Sequence, residues 1–355
     1  MESKKSSLGS STPDISPSAA PSYAYALGLT QFQGFWIPSR HVPTSSIISF
    51  QKYFQALDED IIVVSKPKAG TTWLKALVFT IVNRHSYTLS NTPLNSANPH
   101  QLIPFFDADL YKENPNPDLS KISSPRLFST HLPYSMLADS IKRSNCRIVY
   151  ITRNPFDIIV SLRHFFRFID DWSVEDYLEM FCRGEEPYGP FWDHALGYWN
   201  MSVEKPSNVL FMRYEELKED SVAQTKRLAE FLGFAFSMEE EKTGVVNQIV
   251  DFCSFNNLKD LEANKTGKIP RSIIPSNKLF FRSGKVFRKV HRPQTSDGFS
   301  SGRVANIILR LIAFCSICYN KTHHLVYCFP DAFVVDFILI VPYSPEGNSQ
   351  LRALL

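Results

Sequence analysis

The chain has 355 residues, 44% of them hydrophobic and 21% charged, and carries a formal net charge of +3. Its length and apolar content can fill one large core of about 250–300 residues, or two smaller ones. So mild a charge argues against a nucleic-acid partner, which calls for a concentrated basic face.

The opening stretch, "MESKKSSLGSSTPDISPSAAPSYAYA", is rich in Ser and Pro. It lacks the apolar run of a secretory signal and the Arg of a transit peptide, so residues 1–26 read as a disordered tail. Cysteines stand at 146, 182, 253, 315, 318 and 328. The three before residue 300 are scattered and odd in number, which points to reduced thiols and a cytoplasmic location.

Four apolar runs then follow: "DIIVVS" (60–65), "RLFST" (126–130), "CRIVYIT" (146–152) and "NVLFMR" (208–213). Helical periodicity lies between and after them, over 71–84, 133–143, 155–168, 173–183, 190–203, 222–232 and 238–250. The Pro/Asn-rich stretches 91–99 and 113–118 read as loops. Near-continuous apolar strands separated by helices predict a three-layer α/β domain, a central parallel sheet with helices on both faces, over roughly 45–285.

Beyond residue 287 the character changes. "FRKVHRPQTSDGFSSGR" leads into two apolar runs, each shorter than a membrane span and interrupted by Arg310 or Asp336. No membrane role is expected. Cys315 and Cys318 have C-x-x-C spacing with His323 and His324 close by, but in this setting coincidence outweighs a zinc site.

Three segments at strand ends carry chemistry. The first, "SKPKAGTTWLKAL" (65–77), is a basic Gly-containing turn between a buried strand and a helix. Such a turn presents backbone N–H groups to an anion, and Gly70 allows the close approach. Here Lys68 precedes the glycine, unlike G-x-x-x-x-G-K-[ST], so the usual Mg²⁺-nucleotide arrangement is not expected. Residues 69–72 would wrap a phosphate, and Trp73 offers a stacking face for a base; a plain helix cap with a buried Trp remains open. The second segment, "FSTHLPYSML" (128–137), places His131 at the carboxyl edge of the sheet, as a general base or as a structural residue. The third, "YITRNPFDIIVSLRHFFRF" (150–168), puts Arg153 at the same edge and Ser161 two turns into the next helix. Arg153 suits a second phosphate or, alternatively, an ion pair with Asp157.

"KPKAGTTWLKAL", "STHLPYSML" and "IVYITRNPFDIIVSLRHF", in this order, resemble the plant cytosolic sulfotransferases. "FQGFW" (32–36), "GPFWDHALGYW" (189–199), "VLFMRYEELKED" (209–220), "RLAEFLGFAFS" (227–237) and "CSFNNLKDLEANKTG" (253–267) extend the likeness over about residues 28–286. The resemblance implies a sulfotransferase domain over 27–286 that moves a sulfuryl group from 3'-phosphoadenosine 5'-phosphosulfate (PAPS) to a small hydroxylated acceptor, without a metal. The loop would be P-loop-like, holding a phosphosulfate.

The same resemblance implies roles for single residues. Lys68 would neutralise the bridging oxygen, and His131 would take the acceptor proton. The backbone of Ala69, Gly70, Thr71 and Thr72 would hold the 5'-phosphate. Trp73 and Phe255 would sandwich the adenine, with Tyr214, Cys253 and Ser254 near its edge. Arg153 and Ser161 would take the 3'-phosphate, joined by Arg282, Ser283 and Gly284. Phe105, Phe106 and Phe165 indicate an apolar acceptor pocket, which suits flavonoids, steroids and hydroxyjasmonates alike.

Two departures stand out. Ser129 occupies a position where many animal members have lysine, as in plant relatives. From Arg282 the chain reads "RSGKVFRKVHRPQ" where "RKG…GDW" is expected, and nothing after Val286 resembles the family's lid and closing helices. Residues 287–355 are therefore expected to be poorly ordered, and the alternative to an active enzyme is an impaired PAPS- or PAP-binding pseudo-enzyme.

Overall fold

A computed structural model of the protein describes residues 27–166, 173–269 and 274–282, with two further short strands at His324–Tyr327 and Leu339–Pro342. An antiparallel hairpin, β1 (Thr30–Phe32) and β2 (Phe35–Ile37), comes first, followed by helix α1 (Thr44–Tyr53). The four strands expected from the apolar runs then form: β3 (Ile61–Ser65), β4 (Leu127–Thr130), β5 (Arg147–Thr152) and β6 (Val209–Arg213). They make one parallel sheet in the order β4-β3-β5-β6, with β3 and β5 inside.

All five residues of β3 are buried, and their alternation builds two cores. Ile61 and Val63 meet Leu74, Leu77, Val149, Met212 and Leu228 on one face. Ile62 and Val64 meet Phe50, Phe54, Phe128, Ile148 and Tyr150 on the other. One side is covered by α2 (Thr71–Asn83), α7 (Ser221–Phe231) and α8 (Val245–Phe252), which share the first core. The other is covered by α1 and α6 (Phe191–Glu204). Helices on both faces explain why the strands read as unbroken apolar runs. A third cluster joins Leu27, Ala69 and Ile158 to Tyr177 and Phe181, on α4 (Pro155–Phe166) and α5 (Val174–Cys182). Among the described residues no helix is long and apolar enough to cross a membrane.

Local chemistry sets the helix ends. Pro155 opens α4, and Ser173 and Asp176 close a reciprocal capping box on α5. Where 133–143 reads as one helix, the structure has a 3₁₀ turn, Tyr134–Met136, and a helix, Asp139–Arg143, separated by extended Leu137 and Ala138, whose side chains are buried. The expected 238–250 helix breaks at Gly244, whose φ of +76° starts α8 afresh. The stretch 91–99 is less loop-like than its composition: Thr92 caps a 3₁₀ turn, and Asn98 with Gln101 forms a capping box on α3 (Pro99–Leu102). Residues 167–168 and the C-x-x-C pair lie outside the described residues, and of the tail only the two short strands, paired antiparallel, fall within them.

At the opposite end of the sheet from the chemistry, Asp60 receives Arg126 Nε at 2.7 Å and Nη2 at 2.6 Å, which clamps the starts of β3 and β4. Both groups are buried, Asp60 fully so. Arg126→Met strips this carboxylate of its counter-ion and is expected to cost about 3–5 kcal/mol in urea unfolding. Adding Asp60→Asn to it should recover part of that loss, because the uncompensated charge goes with it.

Candidate active site

β3, β4, β5 and β6 all run the same way, so their carboxyl ends meet at one edge. A cleft of about 750 Å³ opens there, with Lys68, Thr72, Trp73, His131, Arg153 and Tyr214 in its walls. The turn from β3 to α2 forms its floor. Gly70 has φ +118°, and a Cβ there would fall 2.8 Å from the Tyr214 ring and 3.2 Å from Ile151, so glycine is required. Lys68 itself adopts φ +70°, a left-handed conformation unusual for a side-chain-bearing residue and typical of a functional turn. Thr71 Oγ1 pairs with Ser65 Oγ at 2.6 Å, while Thr72 faces the cleft. Beneath the turn, the buried Lys66 amine donates to Glu186 Oε1 at 2.6 Å and ties it to the chain before α6.

His131 is held at its back. Its Nδ1 lies 2.6 Å from Ser65 O, an acceptor only, so Nδ1 carries the hydrogen and Nε2 keeps a lone pair. The His131 carbonyl accepts from His194 Nε2 at 2.9 Å, and His194 Nδ1 takes the Tyr150 hydroxyl at 3.1 Å. Phe105 and Tyr188 pack on the imidazole at 4.7 and 5.4 Å. Burial, aided by the neighbouring lysines, pulls its pKa down to about 3, against the opposing bond to Ser65. At neutral pH His131 is therefore uncharged.

Arg153 sits at the end of β5 with its guanidinium 4.4 Å from the Tyr214 ring centroid, and Nη2 is 3.3 Å from Asp157 Oδ2. The ion pair weighed from sequence is therefore formed, and Arg153 still lines the cleft with Ser161. Lys68 reaches over the Phe165 ring at 3.9 Å. Burial, then the positive charges of Arg153 and Arg282, bring its amine down to about 7.

Trp73 meets Tyr214 edge-on at 5.4 Å, and its buried Nε1 has no hydrogen-bond partner among the described residues. Phe255 stands in the same wall, behind Ser254, which caps the helix α9 (Phe255–Asp260). Cys253 lies deeper, fully buried, with its thiol 3.4 Å from Thr80 Oγ1. Ala69 is also fully buried, which leaves it a backbone role. Arg282 lines the cleft from an exposed position, and Ser283 and Gly284 lie outside the described residues.

The structure adds residues that sequence reasoning missed. His100 and Phe280 line the cleft, and their rings pack 4.6 Å apart. His100 stands in a stretch whose Pro and Asn signal a loop. Its capping box was the legible clue, since "NPHQ" is an Asn followed three residues later by Gln. Phe105 was expected in an acceptor pocket and does meet His131, whereas Phe106 is wholly in the core.

A family model described as a sulfotransferase domain matches residues 58–297, a match that runs beyond Val286. Cytosolic sulfotransferase 6 of Arabidopsis thaliana is 50% identical over 279 residues, covering 76% of this chain and 84% of that protein. Among solved structures, an Arabidopsis thaliana putative steroid sulphotransferase is 45% identical with a TM-score of 0.57, covering 67% of this chain and 81% of that one. Mouse sulfotransferase SULT7A1, complexed with PAP, is 25% identical with a TM-score of 0.59, covering 83% and 95%. The chain belongs to the plant cytosolic sulfotransferase family.

The crowding of cations is open to direct measurement. Lysine-selective ¹³C NMR should show the Lys68 amine titrating near 7. Arg153→Ala removes a repelling charge and should raise that midpoint; a Lys68 midpoint near the ordinary 10.5 in the parent chain would contradict the burial described.

Proposed function

We propose that this chain transfers a sulfuryl group from PAPS to the hydroxyl of a small plant metabolite in the cytoplasm. The observation that carries the reading is the pairing, in one cleft, of a neutral His131 whose Nε2 is left basic with the turn that holds Lys68. The cleft suits the donor nucleotide in three further respects. Gly70 packs against Tyr214 with no room for a Cβ, the Trp73 Nε1 is left for a partner, and the charge of Arg153 disfavours a charged Lys68 until an anion offsets it.

On this reading, the 69–72 backbone and Thr72 hold the 5'-phosphate, while Trp73 and Phe255 flank the adenine beside Tyr214 and Ser254. Arg153, Ser161 and Arg282 take the 3'-phosphate. His131 Nε2 accepts the proton of the acceptor hydroxyl as its oxygen bonds to sulfur in line. Lys68 neutralises the bridging oxygen as its bond to sulfur breaks and 3'-phosphoadenosine 5'-phosphate (PAP) departs. An anion bound beside His131 opposes the burial that weakens it as a base. Catalysis is then positioning and charge stabilisation. Phe105, Phe165 and Tyr188 around the transfer point favour an aromatic or alicyclic acceptor of flavonoid, steroid or hydroxyjasmonate type. The sulfotransferase unit spans 27–286, between the Ser/Pro-rich tail and the divergent 287–355 segment.

A second reading, a chain that binds PAP but turns over slowly, is favoured by the run Arg282-Ser283-Gly284, which lacks the lysine of the resembling lid. A donor-consumption screen against plant phenols, steroids and hydroxy acids separates the two. Transfer to any acceptor supports the enzyme, and PAP binding without transfer supports the second reading. In an active chain, His131→Ala should lower kcat by about 10²–10⁴ and leave PAP affinity nearly unchanged. Near-normal turnover of that variant would remove His131 from the chemistry.

A further inference from the structure

His100 and Lys75 lie side by side behind the anion turn, both buried, at 7% and 0% exposure. Lys75, on α2, places Nζ 2.8 Å from Ile103 O and 3.1 Å from His100 Nδ1. The amine also sits 3.5 Å from the Phe105 ring centroid. His100 Nε2 is 2.9 Å from Thr72 Oγ1, the hydroxyl that faces the cleft. Phe105 and Phe280 pack on the imidazole at 5.5 and 4.6 Å and hold its orientation. A fully buried lysine whose hydrogen-bond partners are one carbonyl and one imidazole is a costly choice for a core position that leucine would fill.

The direction of this three-membered chain decides what Thr72 can do. A hydroxyl has one hydrogen and two lone pairs. If His100 donates from Nε2, Thr72 accepts there and its hydrogen is left for an anion in the cleft. If Thr72 donates instead, it turns only lone pairs towards the anion. Lys75 decides between the two. As an ammonium Lys75 can only donate, to Ile103 O and to His100 Nδ1. Nδ1 then accepts, and the ring hydrogen stands on Nε2.

We propose that Lys75 and His100 are a positioning pair that fixes Thr72 as a hydrogen donor to the phosphate–sulfate end of the donor nucleotide. The proposal rests on the donor-binding reading above and adds two residues to it. Both act through Thr72 and neither touches the reacting atoms. The pair also joins the donor side of the cleft to the acceptor side, because Phe105 packs on Lys75, His100 and His131 alike.

Histidine-selective ¹⁵N NMR on the full chain reads the direction without any ligand. His100 is expected as the Nε2–H tautomer, and Lys75→Met should mix or reverse it. Calorimetry with PAP reads the consequence. His100→Phe, which keeps the aromatic packing, should weaken binding by about 10- to 150-fold, the worth of one oriented hydrogen bond to a charged group. His100→Gln, whose amide N–H reaches the same place, should recover to within about 3-fold of the parent chain. Thr72→Val combined with His100→Phe should bind no more weakly than Thr72→Val alone. An Nδ1–H tautomer in the parent chain, unchanged affinity in His100→Phe, or additive losses in the double variant would each overturn the proposal. Failure of the parent chain to bind PAP would defeat the donor-binding reading instead, and the tautomer would then decide the direction of the pair.

Discussion

Mutual repulsion between cations at the sheet edge is the constraint on which the rest of the site depends. Lys68 and Arg153 are brought together by the ends of β3 and β5, with Arg282 near them, and burial first, then these positive charges, disfavour the charged lysine. A fold bears this cost only when adjoining structure holds the groups in place. Here the parallel register fixes where the strands end, the Gly70 turn leaves no room for a side chain, and the Lys66–Glu186 pair braces the turn from below. An anion entering the cleft relieves the repulsion, and so binding and charge are linked.

Neutrality in the acid–base groups follows from the same burial. His131 has its hydrogen committed to Ser65 O, and His194 fixes the His131 backbone through its own hydrogen bond. Burial lowers His194, His100 and His131 together. None of the three depends on a carboxylate for its orientation: backbone carbonyls, a tyrosine hydroxyl, a threonine hydroxyl and a lysine amine do that work. For His131 and His194 the direction is set by backbone carbonyls, which only accept.

Much of this was legible in the sequence, for identifiable reasons. The strands showed because both faces of β3 and β5 are buried, which leaves unbroken apolar runs. The turn showed because Gly, Lys and two Thr between a strand and a helix serve few other purposes. His131 and Arg153 showed because strand ends can be read once strands can. What stayed hidden depends on contacts distant in sequence. The α1 helix, with mixed polarity and no capping side chain, gave little signal. His100 lies 28 residues from the Thr72 it touches, inside a stretch whose prolines and asparagines resemble a loop. The burial of Cys253 behind the wall, not in it, depends on the Thr80 contact across 173 residues.

The central claim is that the cleft is built for a nucleotide bearing a 3'-phosphate, with Arg153 as its cation. Calorimetry of Arg153→Ala against the parent chain, titrated in parallel with PAP and with 5'-AMP, tests it most directly. PAP binding should weaken by about 1.5–3 kcal/mol, as for loss of a charge-assisted hydrogen bond, while 5'-AMP binding barely responds. Equal losses for the two nucleotides would make Arg153 a structural partner of Asp157 and contradict the account.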